Sequence, residues 1–127
     1  MKTIKYLVFS INDQEYAIKS DSIIEIIFYD KVIDIPLCCD YVLGMILVRN
    51  SVVTLIDLDK KLNLKPKKYQ ILHRKPEAII VKTDNGGKIA IKVDHCSNLI
   101  KPDIVKDNTI INNNTSIVVL DVNNLFN

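Results

Sequence analysis

The sequence first limits its possible functions through what it lacks. It has no tryptophan, aromatic residues make up only 6%, and the net charge is just +2 over 127 residues. Single-stranded nucleic acid is commonly bound by aromatic stacking platforms in a basic groove. Acidic and basic residues are interspersed here, so the composition carries neither that signature nor the basic patch expected for an anionic lipid surface.

The common motifs of enzymes and metal sites are also missing. The sequence contains no glycine-rich phosphate loop and no nucleophile elbow. Cys38, Cys39 and Cys96 are odd in number and are expected to be reduced thiols. Together with His73 and His95 they form no spacing typical of a metal site, so we expect no metal and no other cofactor. We predict a protein without enzymatic activity, and a redox or hydrolytic role of the cysteines stays open as an alternative.

Long hydrophobic runs are absent as well. No run approaches the roughly 18 apolar residues of a membrane-spanning helix, and the apolar part of residues 1–9 is too short for a signal peptide. We therefore expect a soluble, cytoplasmic protein. Because single domains commonly run from about 100 to 150 residues, we expect one domain over residues 1–127.

Short apolar stretches separated by turn residues predict a mainly β structure. Asn12-Asp13 and Asp84–Gly87 each lie between two such stretches, which predicts two hairpins. A last strand is expected at Ser116–Leu120. A short helix or turn is expected at residues 21–27, a short helix at Asp57–Leu62, and a short helix or coil at Asp121–Phe126. Many short strands with regular turn signals favour small β-barrels.

The most informative stretch runs from Gly44 to Leu58. Two almost wholly apolar runs flank the polar pair Arg49-Asn50, which predicts a hairpin whose strands are covered on both faces. An arginine inside such a run needs a carboxylate partner or an exposed ligand surface, because an unpaired buried guanidinium is very costly. The partner of Arg49 is therefore the question that the sequence poses.

Seven short fragments follow one another along the chain: Tyr6–Phe9, Glu15–Ile18, Ile24–Ile26, Asp40–Gly44, Val48-Arg49, Leu55–Leu58 and Val93-Asp94. Together they resemble the CheW family of bacterial chemotaxis coupling proteins. Their order and spacing along nearly the whole chain are typical of a CheW-like domain. The resemblance implies a mainly β fold of two intertwined small five-stranded barrels, similar to OB or SH3 barrels, with short helices.

The resemblance also implies an adaptor function. Proteins of this family bind the regulatory domain of a CheA-type histidine kinase and the cytoplasmic tips of chemoreceptors. We therefore expect a non-enzymatic coupling protein that is recruited from the cytoplasm to membrane-associated receptor arrays, with no membrane insertion and no nucleic-acid partner. Two alternatives remain open: a divergent adaptor for another two-component pathway, and an OB-barrel protein that binds single-stranded nucleic acid.

Site residues follow from the resemblance position by position. The receptor-binding candidates are Ile23, Glu25 and Arg49, and the kinase-binding candidates are Asp40, Tyr41, Leu43 and Gly44. Glu25 becomes the candidate partner of Arg49 in a charge-assisted pair. Asn50 stands where the family usually has glycine, and it is expected in the turn because asparagine tolerates positive φ.

Both groups of candidates are expected to lie on exposed apolar surface. A charge at Leu43 or added bulk at Gly44 is then expected to abolish kinase binding and to leave the fold intact.

Overall fold

The computed structural model describes residues 4–35, 39–58, 75–102, 105–112 and 115–125. The strands are β1 (Tyr6–Ile11), β2 (Gln14–Lys19), β3 (Ile23–Phe28), β4 (Val42–Val48), β5 (Ser51–Asp57), β6 (Glu77–Lys82), β7 (Lys88–Val93), β8 (His95–Ile100), β9 (Val105–Lys106), β10 (Thr109–Asn112) and β11 (Thr115–Val119). A 3-10 helix spans Ser20–Ser22, and the short helix α1 spans Val122–Leu125. Within the described ranges, no helix has both the length and the apolar character needed to cross a membrane.

The strands form two mixed sheets. The terminal sheet has six strands in the order β8-β1-β2-β11-β10-β9, and the central sheet has five strands in the order β3-β6-β7-β5-β4. The chain starts in the terminal sheet, passes through the central sheet and returns, so the two sheets are interleaved in sequence. The predicted mainly β fold is confirmed, although the pairings of the described strands form open sheets rather than closed five-stranded barrels.

The central sheet curls so that its two margins come together. Ile33, which follows β3, forms an isolated antiparallel bridge with Met45 on β4. The N–H of each residue donates to the carbonyl oxygen of the other at 2.8 Å. This bridge brings the segment after one edge strand against the opposite edge strand.

The core explains why some strands are apolar at nearly every position. On β1, Leu7 and Phe9 belong to a cluster that also contains residues of β6 and β7 from the central sheet and of α1; we call it the shared cluster. Val8 packs on the other face of β1 against Ala17 and Ile110. Strand β6 is divided in the same way between the shared cluster and a cluster inside the central sheet. Strands that are covered on both faces have near-continuous hydrophobic runs.

Residues at positive φ form the tight turns. Asn12 and Asp13 have φ of 56° and 66°, and Arg49 and Asn50 have φ of 48° and 66°. Both pairs form two-residue loops of antiparallel hairpins, and positive φ at both loop residues is typical of the type I′ turn. The predicted hairpins at Asn12-Asp13 and Asp84–Gly87 are confirmed, and Asn50 lies in the turn between β4 and β5.

Four other expectations concern the last strand and the short helices. The short helix or turn expected at residues 21–27 is limited to one 3-10 turn at Ser20–Ser22, and Ile23–Phe28 forms β3 instead. Its isoleucines are β-branched and fit a strand better than a helix. The last strand occurs close to its expected place, and α1 lies within the expected terminal helix. Asp57 ends β5, and residues 59–62 of the expected helix lie outside the described part of the chain.

The prediction that the central hairpin is covered on both faces is also wrong. Leu47 and Val52 are cross-strand partners, and their side chains are 66% and 57% exposed. Their neighbours Ile46 and Val53 face the core of the central sheet. One face of this hairpin therefore presents apolar residues to solvent.

Candidate functional site

The turn between β4 and β5 carries the predicted ion pair. The Arg49 Nε–H donates to the Glu25 carboxylate, at 3.0 Å from Oε2 and 3.2 Å from Oε1. Arg49 lies in the turn and not inside a strand, and its side chain is 82% exposed, against 21% for Glu25. The guanidinium is therefore not buried, and most of its surface is open to a partner molecule.

A shallow cavity lies beside this pair. It has a volume of about 200 Å³, and its lining includes Ile24, Val48, Val53 and Ile80. Ser51 and Lys88 add polar groups to the same lining. The site thus combines an apolar floor with charged groups at its margin, which is a common composition for ligand and peptide sites.

A β-bulge in β3 decides which isoleucine reaches the surface. The register with β6 shifts between Ile23 and Glu25, so that Glu25 pairs with Ile80. Ile23 is partly buried against the shared cluster, whereas Ile24 is exposed and lines the cavity. The sequence pattern did not indicate Ile24, because a bulge leaves no clear signal in an isoleucine-rich run.

Exposed apolar side chains alternate along the edge strand β3. We call Ile24, Ile26 and Phe28 the β3 stripe; all three are exposed, while the residues between them are partly buried. An exposed apolar edge strand is a ready site for association with another chain. The β3 stripe therefore extends the apolar surface that begins at the cavity.

The four kinase-binding candidates do not form one exposed surface. Asp40 is exposed and Tyr41 is partly buried, and the Tyr41 carbonyl oxygen accepts a hydrogen bond from the Asp57 N–H at 2.8 Å. Leu43 is partly buried and packs against the hydrophobic cluster inside the central sheet, which we call the central-sheet cluster. Gly44 is buried. Tyr41, Leu43 and Gly44 therefore contribute mainly to the packing and backbone contacts at the start of β4, and little to its exposed surface.

Gly44 has a strict packing role. Its φ is +149°, and a Cβ atom built there would lie 2.3 Å from the carbonyl oxygen of Ile33 and 2.7 Å from Cγ1 of Val32. The expectation that bulk at Gly44 leaves the fold intact is wrong, because the added atom would overlap backbone. A charge at Leu43 would likewise disturb the core beneath it.

Three exposed residues beside these candidates were missed by the sequence pattern. Ile33, Leu47 and Val52 are exposed, and we call them the hairpin patch. Leu47 pairs with Val52, and Ile33 bridges Met45, which lies two residues before Leu47 on the same strand. Side chains two residues apart share one face of a strand, so the patch occupies one face of the curled sheet.

The cysteine residues offer little chemistry. Burial raises the pKa of the Cys96 thiol to about 12, with further contributions from the charge of Glu77 and a hydrogen bond to its carboxylate. A thiol that ionises this weakly is a poor nucleophile. Cys39 is exposed and free, and Cys38 lies outside the described residues. In the described ranges, no group of three or more His, Cys, Asp or Glu residues could hold a metal ion.

Two interleaved sheets, an exposed ion pair and two exposed apolar surfaces define a β-rich protein-interaction module. The CheW-like domain family model matches residues 5–106, and the chain belongs to this family. CheW-like domains occur in scaffold and adaptor proteins of chemotaxis. In structure, the chain is similar to the scaffolding protein TtCheW of Thermoanaerobacter tengcongensis, with a TM-score of 0.82 at 20% identity over 98% of this chain and 93% of that chain. No match was found among curated proteins.

Proposed function

We propose that this protein is a chemotaxis coupling protein that joins chemoreceptor tips to the regulatory domain of a CheA-type histidine kinase. The observation that supports this proposal best is the presence of two exposed apolar surfaces on different strands, the β3 stripe and the hairpin patch. An adaptor needs two such surfaces, because it must hold two partners at once. The protein would be recruited from the cytoplasm to membrane-associated receptor arrays by these contacts.

The β3 stripe and the Glu25–Arg49 pair would bind the receptor. An amphipathic helix docks by laying an apolar face into a hydrophobic groove, and Ile24, Ile26 and Phe28 offer a matching row of exposed side chains. Arg49 is 82% exposed even when paired with Glu25. Because a guanidinium has five donors, it can keep Glu25 and still bind a carboxylate of the receptor helix.

The hairpin patch would bind the kinase. Leu47, Val52 and Ile33 form its exposed part, and Asp40 lies exposed at the approach to β4. Leu43 and Gly44 would support this contact from below by holding β4 against the segment that contains Ile33. In this proposal the family-derived kinase positions act mainly through the shape of the hairpin.

The test measures the two contacts separately on full-length protein. Binding is measured to a receptor cytoplasmic fragment and to the CheA-type kinase of the same cell. Ile26→Asp should weaken receptor binding and leave kinase binding, whereas Leu47→Asp should do the reverse. Ile111→Asp is the matched control, because Ile111 is an apolar residue of the terminal sheet whose exposure lies between those of Ile26 and Leu47.

Equal effects of all three variants, or no effect of any, would contradict the proposed division of surfaces. Binding to the regulatory domain of a different histidine kinase, with the same pattern of effects, would favour the divergent adaptor. The nucleic-acid alternative has no specific support, since the exposed surfaces described above are apolar rather than basic.

A further inference from the structure

The turn between β6 and β7 holds an asparagine side chain in an unusual set of contacts. The Thr83 hydroxyl donates a hydrogen bond to Asn85 Oδ1, and the Gly87 N–H donates to the same oxygen at 3.3 Å. Asn85 and Gly86 are exposed, Gly86 has a φ of +85°, and no atom lies within 4 Å of where its Cβ would be. An asparagine followed by an unhindered glycine thus has two donors on its amide oxygen.

We propose that Asn85 is a site of spontaneous deamidation in the folded protein, assisted by the Thr83 hydroxyl and the Gly87 amide. The Gly86 backbone nitrogen attacks Asn85 Cγ and loses its proton. The bond from Cγ to the side-chain nitrogen breaks, and ammonia leaves with that proton. Water then opens the cyclic imide at either carbonyl, which leaves aspartate or isoaspartate at position 85.

The two donors lie where negative charge develops. As Gly86 nitrogen adds to Cγ, the carbonyl oxygen of the amide takes on negative charge, and hydrogen bonds aimed at such an oxygen lower the barrier. Gly87 makes this arrangement possible. A Cβ on Gly87 would lie 3.1 Å from Thr83 Oγ1 and 3.4 Å from Asn85 Oδ1, so a side chain there would crowd the Thr83 hydroxyl.

The nucleophile is held by one weak contact. The Gly86 N–H donates to the Thr83 carbonyl oxygen at 3.0 Å, and this bond must open before the attack. It lies in an exposed turn, where a backbone hydrogen bond contributes little because water competes for both groups. Glycine also has the widest range of backbone conformations, so Gly86 can turn its nitrogen toward Cγ at low cost.

Two other asparagines provide internal comparisons. Asn50 and Asn108 are exposed and have φ of 66° and 59°. They are followed by Ser51 and Thr109, whose side chains crowd the attacking nitrogen. Both are exposed like Asn85, but a hindered neighbour follows each of them, so both should react more slowly than Asn85.

The product would change the turn and its contact with the C-terminal helix. The Asp84 N–H donates to Asn123 Oδ1 at 3.1 Å, which ties the turn to α1. An aspartate at position 85 adds a charge beside Asp84, and an isoaspartate lengthens the main chain inside the turn. The second product should therefore loosen the contact between the turn and α1.

The experiment follows conversion of each asparagine by peptide mapping and mass spectrometry. Full-length protein is kept at mildly alkaline pH, once folded and once in urea, as wild type, Thr83→Val and Thr83→Ser. In the folded protein Asn85 should convert before Asn50 and Asn108. Thr83→Val should slow Asn85 conversion by about tenfold or more, which is the effect of losing one hydrogen bond to a charged oxygen, and Thr83→Ser should restore the rate. In urea the three proteins should react at the same rate.

Three results would overturn the proposal. The first is earlier conversion of Asn50 or Asn108 than of Asn85 in the folded protein. The second is an unchanged rate in folded Thr83→Val. The third is an Asn85 that converts in urea but stays intact in the fold.

Discussion

Arg49 and Glu25 are 24 residues apart in sequence, yet the Arg49 Nε–H lies 3.0 Å from Glu25 Oε2. The pair connects the β4–β5 turn to β3. Strands β3 and β4 are the two edge strands of the central sheet. The Ile33–Met45 bridge joins the same two margins through the backbone. The ion pair therefore adds a side-chain contact between two margins that a single backbone bridge already joins.

Arg49→Ala should cost about 1 kcal/mol or less of unfolding free energy, because exposed ion pairs contribute little. Glu25 keeps access to water at 21% exposure, so it is not stranded when Arg49 is removed. Urea unfolding of the wild type, both single alanine variants and the double variant gives the coupling energy. A loss of about 3 kcal/mol or more would mean that Glu25 behaves as a buried charge.

Gly44→Ala should destabilise the protein by about 3 kcal/mol, as overpacking and a strained φ act together. The added Cβ would meet the Ile33 carbonyl oxygen at 2.3 Å. Gly86→Ala is the matched control: its φ is also positive, but its surroundings are open, so only the backbone strain of about 1 kcal/mol remains. Equal losses in the two variants, measured by chemical unfolding, would show that contact with Ile33 is not the cause.

Truncation of two neighbouring residues on β4 should change the free energy of unfolding by very different amounts. Ile46 is 1% exposed and lies in the central-sheet cluster, so Ile46→Ala should cost about 2–5 kcal/mol. Leu47 projects into solvent from the other face, so Leu47→Ala should stay within about 0.5 kcal/mol. Thermal and urea unfolding of both variants tests this assignment of faces. A large loss for Leu47→Ala would show that the hairpin patch is covered in the isolated protein.

The features that the sequence predicts correctly are those set by a few neighbouring residues. The turns at Asn12-Asp13 and Asp84–Gly87 follow from residues that tolerate positive φ or initiate turns, so their positions need no knowledge of the rest of the chain. The ion pair was found through the family resemblance. The pattern of hydrophobic residues alone would not have related Glu25 to Arg49.

The features that sequence missed depend on distant contacts. An unbroken apolar run such as β4 cannot reveal that Leu47 is exposed, because burial on one face depends on which strands pack there. The need for glycine at position 44 arises from the backbone of Ile33. The hairpin at Asp107-Asn108, with both residues at positive φ, was also missed, because β9 has only two residues and shows no periodicity.

The two described cysteines should differ sharply in reactivity toward a maleimide or iodoacetamide. Cys39 is exposed, whereas the pKa of Cys96 is raised from 9.0 to about 12, first by burial and then by Glu77. The thiolate is the reactive form, so at pH 8 Cys39 should be labelled quickly and Cys96 very slowly, as peptide mapping would show. In urea both should react at similar rates. Fast labelling of Cys96 in the folded protein would contradict its burial.

The same raised pKa predicts how stability changes at alkaline pH. A group that is harder to ionise in the folded state stabilises the fold fully below its unfolded pKa and loses that contribution as pH rises. For Cys96 the loss should run from about pH 9 to about pH 12. Cys96→Ser would keep a small polar group without a thiol that titrates in this range, so the difference in unfolding free energy between wild type and Cys96→Ser should fall as pH is raised above 9. A constant difference across that range would mean that the thiol ionises equally in both states, so that neither burial nor Glu77 raises its pKa in the fold.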